Sequence, residues 1–150
     1  MGSPTQRSLQ LMRSEGYISC VVERYIAPIK QRKDFLGFID ILCLRPDEKG
    51  MVGIQSTSGT NFRSRLKKAL QLDTLDLFIN NGNIFEVHGW AKKGPRNKRK
   101  TWQCRRLRID ENNLRQIRSD EMDNNPTPPT KPEVDNSTKA IPDGNQSDTK

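Results

Sequence analysis

Asp40 is the residue of this sequence with the most to explain. It interrupts FLGFIDILCL, residues 35–44, a run that is otherwise apolar. A lone carboxylate in such a run is costly to bury and calls for a cationic side chain or a metal ion as partner. Gln55 and Thr57 follow in MVGIQSTS, residues 51–58. Side chains alternate along a strand, so Gln55 and Thr57 point to one face and Ile54 and Ser56 to the other. Two adjacent strands joined by the turn RPDEKG would bring Asp40, Gln55 and Thr57 together. Mg²⁺ (or Mn²⁺) takes oxygen ligands in octahedral geometry and keeps several waters. The Asp40 carboxylate, the Gln55 amide oxygen and a backbone carbonyl of Ile54 or Ser56 form such a set. A cation held there polarises a phosphate and lowers the pKa of an attacking water. Glu23 and Glu15 are candidate additional carboxylates. Asp34 belongs to the same phrase, RKDFLGFID, and either faces the site or caps the strand.

The charge distribution favours an anionic partner. The chain of 150 residues carries a net charge of +8, but unevenly. Residues 119–150 hold three Lys against seven Asp or Glu, a net −4, which leaves +12 on residues 1–118. A domain this basic attracts phosphate backbones or anionic surfaces. The densest cluster is KKGPRNKRK, residues 92–100, with Lys92, Lys93, Arg96, Lys98, Arg99 and Lys100. Lys and Arg gathered this way bind phosphates through counterion release without reading bases. Arg63, Arg65, Lys67 and Lys68 extend the surface. The bland reading of the loop is a solvated hairpin tip, in which six like charges would repel one another.

The elements that must position these residues read as α-β-β-β-α-β-β. A helix over 6–15, with Thr5 as cap, precedes strands at 18–27, 35–44 and 51–58. Phe62, Leu66, Ala69, Leu70, Leu77 and Phe78 recur at helical spacing to about residue 79. Strands at 84–90 and 101–109 flank the basic loop, and 110–118 adds a short helix. From Ser119 the chain has no aromatic residue and is rich in Asp, Asn, Pro, Ser and Thr. That composition predicts a disordered tail over 119–150 behind one domain over 1–118. Three dispersed cysteines, Cys20, Cys43 and Cys104, and one histidine argue against a zinc site or a disulfide scaffold and read as buried core thiols. No apolar run spans a bilayer and no signal-peptide pattern begins the chain, so a cytosolic protein is expected.

DFLGFIDILCL, IQSTSGTNFRSRLKKAL, EVHGW and TWQCRRL together resemble the PD-(D/E)XK nuclease superfamily, closest to its small Holliday-junction-resolvase-type endonucleases, over residues 5–109. The resemblance implies an α/β (α+β) fold: an αβββαβ core, restriction-endonuclease-like, with a mixed central sheet flanked by helices. It implies a metal-binding acid on the second strand, matched by Asp40, and an acid-x-Lys on the third, where this chain has Gln55-Ser56-Thr57. It also implies branched or structured DNA as substrate and a homodimer. Gln remains a neutral oxygen ligand. Thr57 carries no charge and cannot act as the lysine does. Lys67 and Arg63, four apart on the following helix, are the candidates to replace it.

Each residue also has a structural reading. Asp40 could pair with Arg24 or Arg63, Gln55 and Thr57 could bond between strands, and Glu23 could pair with a neighbouring base. Ser58 and Thr60 suit a turn better than a nucleophile. His88 in its strand suits structure better than catalysis, and Trp90 and Trp102 suit cross-strand packing better than base stacking. Two functions follow: a metal-dependent DNA endonuclease using Asp40, Gln55, Glu23 and Lys67 or Arg63, or a binding module that has kept the fold and lost cleavage. A basic interaction protein with an acidic partner is the third class.

Overall fold

The structure, a computed structural model, describes residues 2–124. Helix α1 (Pro4–Ser14) starts at Ser3, whose hydroxyl accepts the Gln6 amide, with Pro4 in the first turn where its missing N–H costs nothing. The cap is therefore Ser3 and not Thr5. Five strands form the main sheet: β1 (Ile18–Val21), β4 (Ile41–Leu44), β5 (Val52–Ser58), β6 (Ile84–Lys93) and β7 (Thr101–Ile109), hydrogen-bonded in that order. Only β5 and β6 run parallel; the other neighbours are antiparallel. The expected mixed α+β architecture is what the chain adopts. Between β1 and β4 a separate hairpin forms from β2 (Arg24–Ile26) and β3 (Gln31–Lys33).

Four local expectations are corrected. The 18–27 segment is not one strand: it leaves the sheet after Val21 and enters the hairpin. The apolar run 35–44 is a strand only from Ile41. Its first half is a turn closed by Phe35 and Ile39, with Leu36 and Gly37 both at positive φ. Leu rarely adopts that conformation, and burial of the neighbouring Phe38 and Ile39 holds it. The long helix after β5 is two helices, α2 (Phe62–Leu70) and α3 (Asp73–Asn80). The last helix, α4 (Leu114–Asp123), runs through residues assigned by composition to the tail. Residues 125–150 of that tail lie outside the described residues.

The sheet divides the core in two. On one face Leu9, Met12 and Tyr17 pack on Ile41, Cys43, Val52 and Ile54. On the other, α2 and α3 cover Phe38, Ile39, Phe85, Val87 and Ile109. Gly53 leaves room for Ile39 and for Phe78 of α3: a Cβ there would lie 2.8 Å from Ile39 and 3.1 Å from Phe78. Of the cysteines only Cys43 is buried; Cys20 is exposed and Cys104 half-buried. No helix among the described residues is long and apolar enough to cross a membrane.

Phe38 sits edge-on to both Phe78 and Phe85, with ring centroids 6.0 and 5.0 Å away. It anchors the turn that ends in Asp40. Phe38→Ala should destabilise the fold by about 3–5 kcal/mol, measured by urea unfolding. A loss below about 1 kcal/mol would mean that the turn is not held from the core.

Candidate metal and phosphate site

Asp40 ends the turn and enters β4. Its amide bonds the Ile54 carbonyl at 2.8 Å, and its own carbonyl receives the amides of Val22 (2.8 Å) and Glu23 (3.3 Å). The backbone around Asp40 is thus locked to β5 on one side and to the exit of β1 on the other. Its carboxylate is 4% exposed. Oδ2 receives two hydrogen bonds, from Gln55 Nε2 at 2.8 Å and from the Ser56 amide at 2.9 Å. No ion pair to Arg24 or Arg63 forms; neither is among the salt-bridged bases of the described residues.

Two further acids converge on Asp40. Oxygen atoms of Glu23, Asp34 and Asp40 all lie within 4.8 Å of one another. Glu23 and Asp34 are only half-buried, so the cluster opens to solvent. Carboxylate oxygens with room for water suit a hard divalent cation. The Gln55 and Ser56 donors both go to Oδ2 of Asp40, which leaves its second oxygen free of them. The three acids can hold a metal ion. Gln55 is buried beside them and contributes a donor to Asp40; its expected role was to offer an amide oxygen. The Ile54 carbonyl, also expected as a ligand, already accepts the Asp40 amide.

A cavity of about 590 Å³ opens over this cluster, lined by Glu23, Arg32, Asp34, Asp40, Gln55, Thr57 and Arg65 among others. A second, of about 660 Å³, shares Glu23, Arg32, Asp34 and Arg65 with it and adds Lys33, Gly37 and Lys68. Acids and bases thus stand side by side in the two cavities: Asp40 lines only the first, Lys33 and Lys68 only the second, and Glu23, Asp34, Arg32 and Arg65 line both. The bases on α2 that line them are Arg65 and Lys68. Lys67 and Arg63 line neither cavity. Phe62, Leu66, Ala69 and Leu70 turn to the core. That orientation puts Asn61, Arg65 and Lys68 on one flank of the helix and Arg63 and Lys67 on the other. Thr57 is buried in the cavity wall. The cluster 92–100 extends β6 and the turn beyond it, fully exposed from Lys92 onward. It leaves the sheet at the same end as the cleft, since Ser58 of β5 is aligned with Trp90 of β6.

Behind β5, on its α1 face, lies a buried polar network that sequence reasoning reached only at His88. His88 Nε2 meets Glu86 at 2.8 Å and His88 Nδ1 meets the Ser8 hydroxyl at 2.9 Å. Ser8 also accepts from Trp90 Nε1 (2.9 Å) and contacts the Ser56 hydroxyl (2.8 Å). Arg106 joins Glu86 to Glu15, and Arg108 joins Glu86 to Glu48. Glu15, a candidate site acid, is thus committed to Arg106 on the opposite face of the sheet. Ser56 links the two faces: its hydroxyl enters this network while its amide grips Asp40. Trp90 and Trp102 are not cross-strand partners. Trp102 pairs with Lys92 and lies under the Arg7 guanidinium. The one sequence signal for this network was the alternation Glu86, His88, Trp90, which puts three polar-tipped side chains on one face of a strand.

Comparisons with protein-family models, with curated proteins and with solved structures return no match. The functional reading rests on this geometry.

Two pH dependences follow. Burial, then the adjacent Asp34 carboxyl and the charge of Glu23, push the Asp40 pKa up to about 8. Below that pH a cation must displace a proton. Mn²⁺ affinity should therefore rise about tenfold per pH unit up to pH 8 and level off above it, and Asp40→Asn should abolish the rise. Calorimetric titration across that range measures it; a flat profile in the parent protein would remove Asp40 from the ligand set. Glu86 moves the other way. Burial raises its pKa, but the His88 hydrogen bond and the Arg106 charge outweigh burial and bring it down to about 2. A depressed acid stabilises the fold above its unfolded pKa, here 4.5, and that contribution fades as the pH falls toward 2. Glu86→Gln should cost roughly 3 kcal/mol at neutral pH, with the gap to the parent narrowing between those two pH values in urea unfolding.

Proposed function

We propose that the protein is a divalent-metal-dependent endonuclease acting on DNA. The observation that carries this reading is the meeting of Glu23, Asp34 and Asp40 in a cleft that is also lined by Arg32 and Arg65 and continues past Lys33 and Lys68. A phosphodiester brings two needs that this cleft meets: cations to neutralise its charge and carboxylates to hold a metal beside it. Mg²⁺ or Mn²⁺ bound by the three acids would polarise the phosphate and lower the pKa of an attacking water. Arg65 and Lys68 bind the phosphate oxygens and steer the chain into the cleft. Gln55 and the Ser56 amide hold Asp40 in one orientation, which fixes where the cation sits. The basic stretch 92–100 leads the duplex to the same end of the sheet through phosphate contacts. The resemblance to Holliday-junction-resolvase-type nucleases, noted in the motifs, points to branched DNA and a dimer.

A second reading is favoured by one specific residue. Thr57 stands where an acid-x-Lys motif would place its lysine, and no Lys or Arg replaces it on β5. A protein that binds DNA through the same cleft without cutting it would tolerate that loss.

Incubation with supercoiled plasmid and with a labelled four-way junction, in Mg²⁺, Mn²⁺ or EDTA, separates the two. The nuclease reading expects metal-dependent cutting that drops about a hundred-fold or more in Asp40→Asn. Absence of cutting in every metal, with a salt-sensitive gel shift retained, would select the binding module.

A further inference from the structure

The hairpin that separates Glu23 from Asp34 has no role in the core. Residues 24–33 form a two-stranded sheet of their own, and only Ile26 is even half-buried. The segment carries Arg24, Lys30, Arg32 and Lys33 and contains no acid of its own. Tyr25 is 59% exposed and Ile29 53%. An isolated hairpin of this size is marginal in water, so its base must be held from outside. The amides of Val22 and Glu23 on the Asp40 carbonyl do this at one end. At the other end Phe35 is bridged to Ile39.

The register gives the hairpin a working face. Tyr25 is aligned with Arg32, and aligned residues of an antiparallel pair project to the same side. Arg32 directs that side at the acidic cluster: its guanidinium lies 3.8 Å from Glu23 and lines both parts of the cleft. Arg32 is 71% exposed, so this pair is weak and its charge is available to a phosphate. Tyr25 stands beside it as an open aromatic ring with no stacking partner recorded among the described residues. A cation and an exposed ring side by side at the rim of a phosphate-binding cleft match the two halves of a nucleotide, one for the phosphate and one for the base.

We infer that the Arg24–Lys33 hairpin is a strand-gripping arm: Arg32 holds a backbone phosphate and Tyr25 stacks on an unpaired base next to it. The inference rests on the nucleic-acid reading of the cleft and adds a substrate requirement to it, a strand with at least one base free to leave its stack. Because Glu23 and Asp34 are the residues that flank the hairpin on either side, a strand held by the arm is held against the metal ligands.

The test uses the full chain in EDTA, with fluorescein-labelled oligo(dT) and a blunt duplex as probes, read by anisotropy over a range of salt. Tyr25→Ala should weaken oligo(dT) binding about tenfold or more and change duplex binding less than about twofold, with Tyr25→Phe restoring the parent value. Arg32→Ala should reduce the slope of log affinity against log salt by about one. Mn²⁺ binding by Tyr25→Ala should match the parent, which establishes that the site is intact. Oligo(dT) binding by Tyr25→Ala at parent strength, or an unchanged salt slope in Arg32→Ala, would overturn the arm while leaving the cleft reading standing. A parent protein that retains neither probe at low salt would overturn both.

Discussion

The burial of the Asp40 carboxylate is the constraint on which the site depends. A carboxylate at 4% exposure with no basic partner is tolerable only if it is hydrogen-bonded, protonated or bound to a cation. The chain supplies two donors, Gln55 Nε2 and the Ser56 amide, to one oxygen. It also brings two more acids, Glu23 and Asp34, to within 4.8 Å of Asp40. The donors alone would favour the ionised form. The acids oppose it and, with burial, prevail, so that the resting carboxylate holds its proton to about pH 8. A group arranged this way has a large electrostatic incentive to exchange the proton for a divalent ion, which relieves the repulsion among all three acids at once.

Such an arrangement needs a rigid floor, and β5 provides it by using its two faces differently. Gln55 and Thr57 turn to the cleft, whereas Ile54 and Ser56 turn to α1. Ser56 is bound through its hydroxyl to Ser8, and Ser8 to His88 and Trp90. His88 is in turn fixed by Glu86, which two arginines neutralise. Every polar atom of this row that could be orphaned by burial has a partner, which is the condition under which a buried network rigidifies a fold instead of weakening it. The amide that grips Asp40 therefore belongs to a residue pinned from behind. Movement of β5 relative to α1 would disturb the amide that holds Asp40 together with the core packing of Leu9 and Met12 on Val52 and Ile54.

The sequence disclosed some of this and hid the rest for identifiable reasons. The sheet strands, the two faces of β5 and the singular position of Asp40 follow from alternation and apolar runs, which are local signals. Residues 35–40 read as strand because an apolar run does not distinguish a strand from a buried turn, and nothing in the sequence around Leu36 signals its positive φ. Arg65 and Lys68, not Arg63 and Lys67, reach the cleft because helix phase depends on which flank of the Phe62–Leu66–Ala69 stripe meets the sheet edge, a tertiary fact. Asp34 entered only as an alternative. Its place beside Glu23 is set by the hairpin register Arg24–Lys33, which the basic, turn-poor segment 24–33 did not announce. Ser8 was invisible because a serine in an amphipathic helix reads as surface, and only the depth of α1 on the sheet makes it buried.

The hairpin also decides where positive charge stands relative to the acids. In a site built from an acid-x-Lys strand, acid and base are locked to each other by a fixed two-residue spacing. Here two of the three acids, Glu23 and Asp34, bracket a ten-residue excursion, and the nearest base, Arg32, belongs to the excursion itself. The placement of two of the acids and of the base beside them therefore depends on one hairpin, whereas Asp40 and Gln55 are fixed in the sheet.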